Sequence, residues 1–462
     1  MRRQRWRSAV PGGALVGSLV LLLAGLLVAA LVLPTGVLPA SVGLAPAGPA
    51  PDGEALSRAA TDLLAARAAA LRGQDRMRWL ATVDPGATSY RARQGELFDS
   101  LRQLPLEHWS EVLDPGRDGP VPVGSRPSGS SAWTVPILVR YRLAGYDDAD
   151  VVRRRILVMA QRGAGWQLTE TPAGGSAAVG QLDERDLWEL GGVRVRTGRA
   201  SVVIAGAGVG QLGEYAELAD AAAETASRWW PTGWRRRLVV LVPQDARGMA
   251  EVLGGALQGS AGGDGGAELA EVAAVTTGGL AAGGVPDRVV VNPQAFAGLT
   301  TTGRQVVLTH EAVHVATGGA GRAGVPRWLA EGFAEYVAHE AAGTPVDAAA
   351  APLLAQVRAG DGPARLPGSR DFDPARTRGA ATADSAYVTA DSAYVQAWLA
   401  CRLLARRHGD DALRAFYRAV AREGRRGRAE RAALEVALDA ELGTSSAQLT
   451  ADWRRHLREL AR

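Results

Sequence analysis

The chain has 462 residues, 47% hydrophobic and 22% charged, which makes it too long for one ordinary domain and too apolar for a disordered chain. Its basic residues are all Arg, and 52 of them against 48 acidic residues leave a formal net charge of +4. Four of these are Arg2, Arg3, Arg5 and Arg7; the remaining 48 balance the 48 acidic residues, so the body of the chain is neutral and no nucleic-acid partner is expected.

Behind this basic tail of residues 1–12, residues 13–33 are apolar and uncharged. At about 1.5 Å per residue they match the ~30 Å of a bilayer core, and they outrun the about 7–15 apolar residues of a signal peptide. They are expected to form an uncleaved single-pass anchor. Arg on the amino-terminal side places that end in the cytosol and everything after Pro34 outside it. Residues 34–52, rich in Pro, Ala and Gly, read as a stalk. The lone Cys401 excludes an internal disulfide, so stability outside the cell must come from packing and a metal.

Residues 53–192 form the first expected folded unit. Leu56, Ala60, Leu63, Leu64, Ala68 and Leu71 recur at helical spacing, Met77 to Val83 predicts a second helix, and Leu97, Phe98, Leu101 and Leu104 predict a third before Pro105. Strands are predicted over 133–143, 151–160 and 166–169. Helices followed by an antiparallel sheet resemble the cone-shaped SnoaL-like fold, which implies an accessory domain without fixing its role. His108, beside Trp109, reads as an ordinary boundary residue.

A second unit is expected over 193–462. Apolar runs at 201–205, 238–242, 272–276 and 288–292 predict a small sheet around a helix over 214–229. The Gly-rich stretch 254–266 lacks the Lys-Ser or Lys-Thr of a phosphate-binding loop. Thr301 or Thr302 is a candidate cap for the helix that follows, and Pro326 suits the first turn of the next, which should run to about Gly343. Helices are predicted over 394–407, 410–422, 429–442 and 446–460. The seven residues 382–388 recur at once as 389–395, placing Tyr387 and Tyr394 two helical turns apart.

The chemistry is concentrated in Thr309-His310-Glu311-Ala312-Val313-His314. On a helix His310 and His314 share a face and can offer two imidazole nitrogens to one zinc ion, with Glu311 beside them as general base. A catalytic zinc takes a third protein ligand, which must come from elsewhere in the chain. The stretch Trp328-Leu329-Ala330-Glu331-Gly332-Phe333-Ala334-Glu335-Tyr336 supplies a candidate, Glu331.

With this second stretch the chain resembles the gluzincin metallopeptidases, the clan of thermolysin and the zinc aminopeptidases. The resemblance implies an α+β peptidase domain with His310, His314 and Glu331 as zinc ligands, Glu311 as base and Glu335 behind a ligand histidine. It implies a peptide or protein substrate added as a strand to a sheet edge, and a Tyr from the carboxyl-terminal lobe facing the tetrahedral intermediate. Tyr394 fits that role, with Tyr387 as the alternate. His339, one turn beyond Glu335, reads as a surface or boundary residue, with a supporting role behind the ligands as the alternative. No G-x-M-E-N sequence of the kind that holds a free amine is present, which favours internal cleavage. The competing expectation is a surface binding protein that keeps this frame without turnover.

Overall fold

The computed structural model describes residues 53–117, 120–123, 132–163, 165–170, 184–254, 269–277, 286–318, 324–372 and 383–462. The expected basic tail, anchor and stalk lie outside them, and no helix among the described residues is long and apolar enough to cross a membrane. The architecture is α+β, with two five-stranded sheets.

Helices α1 (Gly53–Arg72), α2 (Arg76–Ala81) and α3 (Thr88–Leu101) come first. Leu56, Ala60, Leu64, Ala68 and Leu71 are buried, so α1 turns one stripe inward. An antiparallel sheet follows, made of β1 (Leu106–Leu113), β2 (Val121–Val123), β3 (Ala132–Leu143), β4 (Val151–Arg162) and β5 (Gly165–Thr169), with both β1 and β2 paired to β3. These elements enclose a cavity of about 350 Å³ lined by Arg67, Tyr90, Glu111, Arg155 and Trp188 among others. Within its wall Arg67 donates to Glu111 at 3.0 Å and stacks 3.7 Å over Trp79.

The second sheet runs β6 (Val193–Thr197), β7 (Ser201–Gly206), β8 (Leu238–Val242), β10 (Val289–Val291), β9 (Ala274–Thr276). β7, β8 and β10 are parallel, while β6 and β9 flank them antiparallel. Helix α4 (Leu212–Trp229) makes the β7–β8 crossover, and α5 (Ala246–Leu253) follows β8. The parallel strands are apolar throughout because both faces are buried. Val203, Ala205, Val240, Val242, Val289 and Val291 pack into one core with α4 and the helices that follow. Val202, Ile204, Val239, Leu241 and Val290 pack into another, together with Leu56, Trp79, Phe98, Tyr141 and Trp188 of the amino-terminal unit. The sheet is therefore a wall shared by two cores.

After the short α6 (Pro293–Ala297) come α7 (Thr301–Thr317) and α8 (Arg327–Ala342). The cap of α7 is Thr300, one residue before the expected pair, and its hydroxyl accepts from Gly303 N at 3.1 Å. Pro326 stands at the cap position of α8 and not inside its first turn. Gly343, at φ +61°, ends α8 in the left-handed region that favours glycine. The short α9 (Val346–Ala349) and α10 (Ala351–Ala359) lead to α11 (Ala383–His408), α12 (Asp410–Arg425), α13 (Glu430–Leu442) and α14 (Ser446–Leu460). The duplicated stretch is helical from Ala383 onward, and the side chain of Tyr387 lies outside the described ones.

Candidate metal centre

Helix α7 is buried from Val306 to His314, and α8 from Arg327 to His339. Over these spans neither helix has a wet face, which holds the side chains in fixed directions. His310 and His314, four apart on α7, turn to Glu331 on α8. The two Nε2 atoms lie 2.8 Å apart, and Glu331 Oε2 is 3.4 Å from the first and 3.2 Å from the second.

These three side chains, all buried, could hold a metal ion, and they are the one such group among the described residues. Their separations can be set against a tetrahedral site: ligands about 2.05 Å from a common centre stand roughly 3.3 Å apart. Both imidazole-to-carboxylate distances agree with that edge, while the 2.8 Å between the imidazole nitrogens is shorter and would open by about 0.5 Å around an ion; the donor set of two imidazoles and one carboxylate suits zinc.

Supporting contacts lie behind two of the donors, His310 and Glu331. His310 turns its other nitrogen, Nδ1, to Glu335 Oε1 at 3.3 Å, leaving Nε2 for a cation. Glu335 Oε2 lies 3.0 Å from Nε2 of His339, which stacks on Trp398 with ring centroids 4.4 Å apart. His339 is thus 8% exposed and part of the centre, correcting the surface or boundary position expected for it. His108 is half-exposed at the far unit. Arg327 Nε lies 3.4 Å from Glu331 Oε1, the oxygen turned away from the histidines. Arg327 also lies over the Phe372 ring, and the Tyr394 ring packs edge-on against the same phenylalanine. Tyr394 itself is 3% exposed, with its ring 6.4 Å from that of His310.

Glu311 is held from the sheet. The Thr276 hydroxyl, on β9, donates to Glu311 Oε2 at 2.6 Å. Among the described residues no hydrogen bond engages Oε1, which leaves that oxygen to take a proton.

Charge follows burial. Burial would depress the His310 pKa, but Glu331 and Glu335 outweigh it and raise it to about 10. Burial also works against ionising Glu331 and Glu335. The histidines and Arg327 nevertheless hold Glu331 well below the usual carboxylate range, and His310 with His339 bring Glu335 to about 2. Glu311 goes the other way, pushed up chiefly by burial. Tyr394 is raised by burial and by the Glu331 charge, so its hydroxyl keeps its proton. With His310 neutral, as a metal ligand must be, the ionised Glu331 and Glu335 stand against one buried guanidinium, a negative balance suited to a divalent cation.

The structure brings together His310, Glu311, His314, Glu331, Glu335 and Tyr394. It adds Thr276 and Arg327, which sequence reasoning passed over, and His339, for which that reasoning preferred a surface or boundary position. Two of them carried a signal, since Arg327, Glu331, Glu335 and His339 recur every four residues along α8. Thr276 carried none, being 35 residues before its partner. Comparison of the chain with protein-family models and with curated proteins gave no match.

Proposed function

We propose that this chain is a zinc-dependent peptidase of the gluzincin type that hydrolyses internal peptide bonds of peptide or protein substrates. The observation that carries this reading is the buried convergence of His310, His314 and Glu331 with an uncommitted carboxylate oxygen of Glu311 beside it. A zinc ion held by the three ligands would supply Lewis-acid polarisation of a carbonyl and acidification of water.

The chain's own groups divide the remaining work. Glu311 Oε1 accepts the proton of the attacking water and passes it to the leaving amine. Burial favours this role, because a carboxylate raised toward neutrality both takes and returns a proton. The Tyr394 hydroxyl, proton retained, donates to the oxygen on which negative charge develops. β9 is the last strand in its sheet, so an extended substrate can pair along its outer edge next to Glu311.

Glu311→Gln tests the reading, because it keeps shape but cannot accept the proton. Zinc content and folding should match wild type, while casein hydrolysis falls at least about 10²-fold. A wild-type protein that never binds zinc would sink the proposal. Wild type that binds zinc and peptide yet cleaves nothing in a broad peptide library would instead be a binding protein.

A further inference from the structure

Besides the shared core, the amino-terminal unit reaches into the second unit through the loop of residues 144–150, between β3 and β4. Tyr146 donates its hydroxyl to Ser201 O at 3.0 Å, and Arg235 pairs with Asp148. The central contact is Asp147 with Arg288. Nη1 meets Oδ1 at 2.7 Å and Nη2 meets Oδ2 at 2.8 Å, with Asp147 1% and Arg288 4% exposed. Asp147 Oδ2 also accepts from Leu143 N at 2.8 Å, which ties it to the end of β3.

Arg288 immediately precedes β10, and its backbone closes the ladder to β9. Thr277 N donates to Arg288 O at 2.9 Å, and Arg288 N donates to the Thr277 hydroxyl at 2.8 Å. The next rung pairs Val289 with Thr276, and Thr276 holds Glu311. A continuous set of short polar contacts therefore runs from the loop of one unit to the candidate base of the other.

We infer that the amino-terminal unit is a positioning part of the candidate catalytic centre: Asp147 fixes Arg288, Arg288 fixes the β9 rung, and Thr276 on that rung orients Glu311. This rests on the peptidase reading for its catalytic consequence, but not for the mechanical link. β9 is only three residues long and among the described residues has one ladder partner, so contacts at its ends help to hold its place. A bidentate buried pair at one end supplies the constraint. Asp147, Arg288 and the side chain of Thr276 are positioning groups, since they act through Glu311 and not on the substrate.

The test uses the full chain. Thr276→Val keeps shape and branching but removes the donor; it should lower kcat about 10²-fold, with KM and zinc content unchanged, and Thr276→Ser should restore most of it. Asp147→Asn should lower kcat about 2–30-fold, and in the Thr276→Val background it should add little, because both act through one contact. Amide exchange gives a second readout independent of activity. Thr277 and the β9 amides should exchange at least about 10-fold faster in Asp147→Asn, while α13 and α14 are unchanged. Should Asp147→Asn fail to fold, the double variant Asp147→Leu with Arg288→Met removes both charges without orphaning either and carries the same exchange measurement. Unchanged β9 exchange in a folded variant overturns the inference, as do fully additive kcat effects. A wild type without hydrolysis overturns the peptidase reading, and the exchange result then decides the link alone.

Discussion

Four side chains on α8, Arg327, Glu331, Glu335 and His339, form a charged stripe on a helix with no solvent face. Each contacts a neighbour in the centre, so the stripe fixes which oxygen and which nitrogen a cation held there would meet. Outer partners of a metal site act on affinity through orientation. Glu335→Gln should therefore weaken zinc binding about 10–100-fold, measured by competition with a chromophoric chelator, and His339→Leu should weaken it by less. Equal affinity in both variants and wild type would remove the stripe from the metal's environment. Much of this centre was legible at the residue scale, because two histidines and a glutamate four and seventeen residues apart obey helical spacing and a two-helix pattern. His339 was misread because a lone histidine was weighed without its stripe. Thr276 was illegible in principle: strand order decides what lies opposite Glu311, and no local pattern states strand order.

The element that matters most after α7 and α8 is the α8–α11 contact. A Cβ on Gly332 would fall 2.4 Å from Ala397 O and 2.6 Å from Ala397 C, so the glycine sets how close the two backbones come. That approach is what delivers Tyr394 of α11 to Arg327 and the histidines of the site. Gly332→Ala must push α11 away, at a cost of about 1–3 kcal/mol as for other overpacked core sites. Its melting temperature should fall, and turnover should fall further than zinc content, because the ligands sit on α7 and α8 while Tyr394 does not. An unchanged melting temperature would contradict the close contact. Long helices were readable from their apolar period, and the helix over 446–460 has the bounds its pattern predicts. β1 and β6 escaped because their patterns are weak. In Leu106–Leu113 only Trp109 and Glu111 are buried, and Val193–Thr197 alternates Val with Arg on an edge where one side faces water.

At the scale of the molecule, the second sheet is the common wall of two cores, and the amino-terminal unit has no separate core to retreat to. Unfolding it exposes Val202, Ile204, Val239, Leu241 and Val290, so the rest should not survive alone. Calorimetry should give a single transition whose van't Hoff and calorimetric enthalpies agree. Two resolved transitions would mean that the wall is not load-sharing. Saturating zinc should raise the midpoint of that one transition, since binding to the native state alone stabilises all of it. The same wall has a consequence for how this sequence can change over time. Along β7, β8 and β10 successive residues answer to different neighbours: Val203, Val240 and Val289 to the helices around the metal ligands, Val202, Val239 and Val290 to the amino-terminal unit. Substitutions one residue apart on the same strand should therefore covary with disjoint sets of positions, and the two halves of the protein can drift at separate rates across a strand that neither can lose.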